Sequence, residues 1–208
     1  MGTVATHMSI KPGESIERSV DSVQGMYAVV IALAISEAIE ILLKGVNGTA
    51  DLSRRWLLSG MWAFVAFVFT LIPFWHGMNR HLDRCYLEKE GDVRRGAILL
   101  DLFVFFAEAG FLFAAGLSLR SGLTTFYCLG GLLFVDMLWA LGSHWIHFRD
   151  KKSYSLRWSA INVIAMIVAF GVIKCNFGPR SLMIVAVLRT IADYWICRDF
   201  YFPAPKTK

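Results

Sequence analysis

The sequence predicts an all-α integral membrane protein with six transmembrane helices and both termini in the cytoplasm. Hydrophobic residues make up 56% of its 208 residues and charged residues 18%, whereas an average soluble domain is about 45–50% apolar and about 25% charged. Six apolar runs are long enough to cross a bilayer, and lysine and arginine fall mostly in alternate connections. This composition argues against a disordered chain, a disulfide-rich secreted module and a nucleic-acid-binding domain.

The six predicted spans follow one another with short connections. A crossing helix needs about 20 mostly apolar residues, and backbone groups in lipid have to be hydrogen-bonded within the segment or in a closed barrel. These runs are long and continuous, so they indicate helices and not the short alternating strands of a barrel. The spans cover residues 25–43, 56–75, 96–119, 123–146, 158–173 and 181–197. They form one membrane domain, 25–197, between tails of residues 1–24 and 198–208.

Local features justify the ends of several spans. The first 24 residues are polar and lack the apolar segment of a signal peptide, so we expect the first span to act as its own insertion signal. Pro73 lies near the end of the second span, where a kink is tolerated. A short hairpin joins the third and fourth spans, and the fifth span is short. Pro203 and Pro205 indicate a non-helical carboxyl-terminal tail.

The distribution of lysine and arginine predicts the orientation. The two tails and the connections after the second and fourth spans hold 14 of these residues, and the other three connections hold 6. Because cytoplasmic loops are enriched in lysine and arginine, this bias places both termini in the cytoplasm. Attraction of the basic connections to anionic lipid explains them without a nucleic-acid partner.

Several ionisable or polar residues lie deep inside the predicted spans, where charged side chains are costly and usually face the bundle interior or water. Glu40 and Asp101 lie near span ends and are inexpensive to place. An outer layer lies about 11 Å below the non-cytoplasmic surface at a rise of about 1.5 Å per residue, and it contains Glu37 and Arg189. A middle layer, about 16–20 Å deep, contains Glu108, Asp136, Asn162 and Asp193.

Three interpretations of these layers are open. In the first, they form a structural network in which Arg189 bridges Glu37 and Asp193 while Glu108 and Asp136 share a proton. In the second, they line a hydrated pathway for protons or cations through or beside the bundle. In the third, they bind a metal ion, although carboxylates from separate helices without histidine at that depth give this interpretation little support.

Four histidines lie at the predicted cytoplasmic ends of the second and fourth spans. His144 and His147 are three residues apart and share a helix face, whereas His76 and His81 are five apart and do not. The default interpretation is that they anchor the bundle at the interface. The alternatives are a pH-sensing cluster and a haem or metal site between the two helices. The four cysteines form no C-x-x-C pair and are interpreted as structural.

The start of the first span resembles a known family. Residues 18–28 read RSVDSVQGMYA, which is similar to the start of the six-span endosomal–lysosomal potassium channels (the transmembrane-protein-175-like family). That family has an arginine, three residues, Phe-Ser-Asp-Gly and then an apolar helix closed by an acid. Arg18, Gly25 and Glu37 fall at matching positions, and residues 22–24 read Ser-Val-Gln where the family has Phe-Ser-Asp. Residues 74–81, FWHGMNRH, loosely resemble the end of the family's second span.

The resemblance implies an oligomeric cation channel, a tetramer in which the first span lines a central pore. Ile31 and Ile35, four residues apart, would then form its constriction. In the family, the arginine and the triplet tie the first helix to its neighbours by hydrogen bonds. The residues of this chain at the corresponding positions of that anchoring motif include Arg18, Ser22, Gln24 and Gly25.

Three functions are compatible with these observations. The first is a homo-oligomeric channel or pore for monovalent cations such as potassium, which requires no catalytic residue. The second is a membrane redox protein or a metal or haem protein that uses the histidines at the cytoplasmic edge. The third is a non-conducting assembly protein, in which the polar layers only fix how the helices pack. The lipid bilayer and further copies of the chain are the expected partners.

Overall fold

A computed structural model shows a bundle of helices and describes residues 12–47, 54–88, 95–147 and 154–203. No strand occurs in these four segments. The second helix continues into a π-helical turn (Asp83–Leu87), and a 3₁₀ turn (Leu119–Ser121) joins the third and fourth. The α-helices in chain order are α1 (Pro12–Asn47), α2 (Arg54–Leu82), α3 (Arg95–Leu117), α4 (Gly122–His147), α5 (Tyr154–Lys174), α6 (Pro179–Ile196) and α7 (Arg198–Tyr201).

Five of the described helices are long and apolar enough to cross a membrane, which suggests a multi-pass membrane protein. Together with the π-helical turn after α2 and the 3₁₀ turn before α4, they form the stretches Glu14–Lys44, Ser59–Leu87, Gly96–Leu117, Leu119–His147 and Tyr154–Lys174. Helix α6 has 18 residues but carries three charged side chains, Arg180, Arg189 and Asp193. The all-helical fold is thus confirmed for the described residues, with five candidate spans. The sixth crossing and the cytoplasmic location of the termini stay predictions.

Several helices extend beyond the predicted spans. Helix α1 begins at Pro12, so much of the predicted polar tail of residues 1–24 is helical, and proline is tolerated in the first helical turn. Helix α2 and its π-helical turn continue to Leu87, well past the predicted end of the span at Trp75. Helix α7 forms one turn inside the tail that was predicted to be non-helical. Hydropathy locates the part of a helix that lipid favours, and polar residues can continue the helix beyond it.

The bundle has an apolar outer surface and a mostly apolar core that also contains several buried polar side chains. Helix α4 packs between α3 and α5, α1 packs on α3, and α6 packs on α2 and α5. Every long helix exposes large apolar side chains, such as Phe103 on α3 and Trp195 on α6. Buried polar side chains, such as Glu108 and Asp193, lie between the helices. Placing the polar side chains between the helices and apolar side chains on the outer surface is what a lipid environment favours.

A proline inside α2 creates the link between α2 and α6. Pro73 has no N–H, so the carbonyl of Phe69, four residues earlier, loses its helical hydrogen-bond donor. The hydroxyl of Thr190 on α6 donates to this carbonyl over 2.6 Å. Since an unsatisfied backbone carbonyl is costly in lipid, Thr190 both repairs α2 and fixes its register with α6.

We expect Thr190→Val to lower the free energy of unfolding by about 1–3 kcal/mol, because it leaves a buried carbonyl without a donor. Urea or SDS unfolding in detergent micelles measures this loss. Thr70→Val is the matched control, since the Thr70 hydroxyl donates over 2.8 Å to the carbonyl of Ala66, an acceptor that keeps its helical N–H donor. Equal losses in the two variants would contradict the role of Thr190.

Candidate functional site

Asn162 on α5 joins α4 to α6 in the middle of the bundle. Its side-chain Nδ2 donates to Oδ2 of Asp136 over 2.5 Å. Its Oδ1 accepts from Nε and Nη2 of Arg189 over 3.2 and 2.8 Å. The Asn162 amide donates to the Asp136 carboxylate on α4 and accepts from the Arg189 guanidinium on α6. It therefore connects two oppositely charged side chains on different helices.

Arg189 and Asp193 lie one turn apart on α6 and are both buried. The guanidinium Nη1 is 3.6 Å from Oδ2 of Asp193, and the guanidinium carbon is 5.2 Å from the centre of the Phe74 ring. The Tyr201 hydroxyl donates to the same carboxylate oxygen over 2.9 Å, and the indole N–H of Trp158 donates to the Tyr201 hydroxyl over 3.1 Å. The Arg189–Asp193 pair on α6 is thereby linked by hydrogen bonds to α7 through Tyr201 and to α5 through Trp158.

Glu108 on α3 brings a third carboxyl group into this region. It is 2% exposed and forms a hydrogen bond with the carboxyl group of Asp136, and its Oε1 has no described hydrogen-bond partner. Glu108, Asp136 and Arg189 all line a cavity of about 10 Å³, which is about the volume that holds one water molecule. We name the following five side chains the central network: Glu108, Asp136, Asn162, Arg189 and Asp193.

The central network brings together the four residues of the predicted middle layer and Arg189 of the predicted outer layer. The predicted contact between Arg189 and Asp193 is confirmed, but the partners recorded for Arg189 do not include Glu37. Glu37 is half-buried on α1, and that helix packs on α2 and α3. The predicted layers rest on the depth of each residue along its own helix. Which side chains are in contact also depends on which helices are neighbours.

The predicted pore residues of α1 lie against the core of their own chain. Ile31 is 6% exposed and belongs to the core of its own chain, and Ile35 is half-buried against that core. The close approach of α1 to α3 explains this, because a Cβ on Gly116 would lie 2.9 Å from the backbone oxygen of Ala34. The face of α1 that is open to lipid or to another copy carries Val29 and Leu33.

Within the predicted anchoring motif, Gln24 makes the described link to another helix. Its Nε2 donates to Oδ1 of Asp83 over 3.0 Å and to the carbonyl of Asn79 over 3.3 Å, which ties α1 to the end of α2. The Ser22 hydroxyl bonds to the carbonyl of Arg18 in its own helix. Arg18 and Gly25 are exposed.

The four histidines occupy separate environments, except for one pair. His76 lies against α6 and α7, with Nδ1 3.1 Å from the Tyr194 hydroxyl. His144 is half-buried beside Trp145. His81 and His147 face each other with their ring centres 5.7 Å apart. The predicted bridge between the second and fourth spans therefore involves these two histidines alone among the four.

His81 is completely buried and forms a second polar centre. Its Nδ1 is 2.7 Å from the Tyr154 hydroxyl and 3.7 Å from Sγ of Cys85, and its Nε2 is 3.2 Å from Oδ2 of Asp101. Ligand atoms of His81, Cys85 and His147 all lie within 4.8 Å of one another. We name the histidine cluster as follows: His81, Cys85, Tyr86, Asp101, Trp139, His147 and Tyr154.

Asp101 is more deeply embedded than its sequence position predicts. It is 2% exposed and accepts hydrogen bonds from the Tyr86 hydroxyl over 2.6 Å and the Trp139 indole over 2.9 Å, in addition to its contact with His81. The continuation of α2 into the π-helical turn brings Tyr86 over the start of α3. The hydropathy of the sequence places residues 76–95 in a connection between spans, so it does not predict the cluster around His81. The four-residue spacing of His81 and Cys85 is typical of side chains on one helix face and is the available signal.

A cavity of about 470 Å³ lies between α4, α5 and α6. Its lining is mostly apolar and includes several small residues, and Arg189 and Thr70 reach it as polar side chains. Pockets of this size and character are typical of ligand sites. The cavity adjoins the central network through Arg189, which also lines the small cavity beside Glu108.

Comparison of this chain with protein-family models, curated proteins and solved structures finds no match.

Proposed function

We propose that this chain is a six-span membrane protein that conducts protons or other monovalent cations, with the central network as the site where the cation is held. The observation that carries this proposal is the pairing of two buried carboxyl groups, Glu108 and Asp136, beside a cavity for one water molecule. Like charges at such short range do not both ionise readily in a buried site, so the pair favours one proton or one small cation.

Polar side chains continue from this pair toward the histidine cluster. Asp101 and Glu108 are seven residues apart on α3, which is about two helical turns or about 10 Å along one face. On α4, the buried residues Asp136 and Ser143 and the half-buried His147 follow the same direction. This succession supports a route from one end of the bundle to its centre. The 470 Å³ cavity beside Arg189 supports a continuation toward the other end.

The burial of its charges supports α6 as a sixth crossing. Arg189 and Asp193 are engaged inside the bundle, and the outward side of α6 exposes Leu188, Ile191 and Trp195. With six crossings, both termini lie on the same side, and the lysine and arginine bias places that side in the cytoplasm.

We also infer that the protein assembles as a homo-oligomer of four copies that favours potassium, as the resemblance to the six-span potassium channels implies. The burial of Ile31 within its own chain supports a route through the interior of each chain and not along the α1 face. Chemical cross-linking in native membranes measures the number of copies, and it tests this assembly separately from conduction.

Cation flux into liposomes that contain the purified protein tests the conduction proposal. We expect Asp136→Asn and Glu108→Gln to lower potassium or proton flux by about tenfold or more, equivalent to about 1.4 kcal/mol on the barrier. Both amides keep the shape of the side chain, and the amide introduced by Asp136→Asn retains an oxygen that accepts from Asn162. A pH-sensitive dye inside the liposomes and potassium-selective electrodes outside distinguish the two ions.

Glu40→Gln is the matched control, because Glu40 is an exposed acid on α1 that pairs with Lys44 near the helix end. It removes one negative charge without touching the central network, and we expect unchanged flux. Flux that is absent from the wild-type protein would overturn the proposal in favour of a non-conducting assembly protein. Flux that is equal in all four proteins would place the route outside the central network.

A further inference from the structure

We propose that His81, Cys85 and His147 bind one Zn²⁺ ion at the end of the bundle where α2 passes into its π-helical turn. The site links α2 to α4, and through Asp101 it also reaches α3. It is separate from the central network, so the inference does not depend on cation conduction.

The distances between the three side chains are close to those of a zinc site. Typical bond lengths are about 2.3 Å for Zn–S and about 2.0–2.1 Å for Zn–N, which in a tetrahedral arrangement separate sulfur from nitrogen by about 3.5 Å. Sγ of Cys85 is 3.7 Å from Nδ1 of His81, and one ligand atom from each of His81, Cys85 and His147 lies within 4.8 Å of the other two. Shifts of a few tenths of an ångström to about one ångström bring all three to an ion.

The backbone supports this arrangement at Cys85. His81 and Cys85 are four residues apart, so they lie on one side of the helix as a chelating pair. Cys85 lies inside the π-helical turn Asp83–Leu87, and single π-helical turns inside α-helices occur frequently at functional sites. This turn holds Cys85 and Tyr86 buried against the bundle at a position where a polar connection was expected.

Asp101 provides an independent indication of a metal ion. A histidine that binds a metal through one ring nitrogen usually donates its other N–H to a carboxylate or carbonyl, which fixes its tautomer. Here Nε2 of His81 faces Oδ2 of Asp101 at 3.2 Å, and Tyr86 and Trp139 hold that carboxylate in place. Donation from Nε2 leaves the lone pair on Nδ1, the nitrogen that faces Cys85.

The Tyr154 hydroxyl lies 2.7 Å from Nδ1 of His81, and in the zinc-bound site the ion replaces this contact. Bound Zn²⁺ requires Cys85 as a thiolate, so binding releases the thiol proton. The thiolate and the Asp101 carboxylate carry two negative charges, which balance the divalent ion within the buried cluster. Such neutralisation is what a site inside a membrane bundle requires.

The donor set selects the class of ion. Two imidazoles and one thiolate suit Zn²⁺ and not the oxygen-preferring Mg²⁺ or Ca²⁺. A haem is disfavoured, because the Trp139 ring centre is 4.5 Å from the His81 imidazole and leaves no room for a large planar ring. Three protein ligands leave one coordination position for water or another ligand, as in zinc sites that are not purely structural.

Cobalt substitution tests the site in the intact chain, purified through a tag without histidine. We expect one Co²⁺ per chain with tetrahedral d–d absorption and a thiolate-to-cobalt charge-transfer band, both displaced by one equivalent of Zn²⁺. Cys85→Ser removes the charge-transfer band. Asp101→Asn keeps the band but weakens zinc affinity by about 10–100-fold, as loss of a supporting carboxylate does at other metal sites.

Two matched controls and a second ligand variant complete the test. Cys175→Ser changes an exposed cysteine and His144→Ala changes a histidine outside the cluster, and we expect both to keep the band and the affinity. His147→Gln alters the half-buried ligand, so it preserves folding most readily, and we expect it to lose stoichiometric binding. Absence of a thiolate band in the wild-type protein, or its persistence in Cys85→Ser, would overturn the proposal.

Discussion

Replacement of Arg189 by methionine is expected to lower the free energy of unfolding by about 3–5 kcal/mol, the usual cost of removing one partner of a buried ion pair. Methionine keeps an unbranched side chain of similar length, so the loss reports the missing guanidinium. Without it, the Asp193 carboxylate loses its neighbouring cation and keeps uncharged donors such as the Tyr201 hydroxyl, and Oδ1 of Asn162 loses its hydrogen bonds from Nε and Nη2. SDS or urea unfolding in detergent micelles, followed by tryptophan fluorescence, measures the change.

Arg180→Met is the matched control for this prediction. Arg180 lies on the same helix, is exposed and contacts the Trp62 ring at 5.9 Å, so we expect a loss of less than about 1 kcal/mol. The double variant Arg189→Met with Asp193→Asn removes the unpaired charge as well, and it should recover part of the lost stability. Equal losses in the two arginine variants would mean that water reaches Arg189 and that the site is not dry.

The sequence predicts the central network better than it predicts the histidine cluster. Asn162, Asp136 and Glu108 are polar residues in the middle of apolar runs, and because a helix rises by a constant amount per residue, counting from the span ends places them at one depth. Asp101, Cys85 and Tyr86 give no such signal. They lie where hydropathy falls at the end of a span, and hydropathy does not distinguish a polar loop from a polar helix end that folds back on the bundle.

The surroundings of Ile31 and Glu37 were hard to predict for a different reason. Both residues are placed correctly on α1, and the helix itself is predicted correctly. What the sequence lacks is the identity of the neighbour, because a single chain does not reveal that Gly116 lets α3 approach α1 so closely. Which face of a membrane helix is buried depends on such contacts, since apolar residues are equally suited to lipid and to the core.

The aromatic residues around Trp158 explain how the two polar centres are held together. Trp158 stacks edge-on against Phe200 and Tyr154, donates its N–H to Tyr201, and also lines the cavity beside Glu108. Tyr154 belongs to the histidine cluster, and Tyr201 bonds to Asp193 of the central network. One buried indole therefore contacts side chains from both centres, and its position is determined by α2, where Gly77 leaves room for it.

Trp158→Ala is accordingly expected to lower the free energy of unfolding by about 3–5 kcal/mol, because it creates a large cavity and removes the donor to Tyr201. Trp195→Ala, which removes an exposed indole, is the matched control and should cost less than about 1 kcal/mol.

Gly77→Ala alone should cost about 1–3 kcal/mol, since its Cβ would lie 2.3 Å from the Trp158 ring. When Gly77→Ala is combined with Trp158→Ala, the new methyl group has no indole to clash with and partly fills the cavity. The loss of unfolding free energy in the double variant should therefore be much smaller than the sum of the two single losses. Additive losses would show that Gly77 and Trp158 do not pack against each other, and that the indole does not depend on α2 for its position.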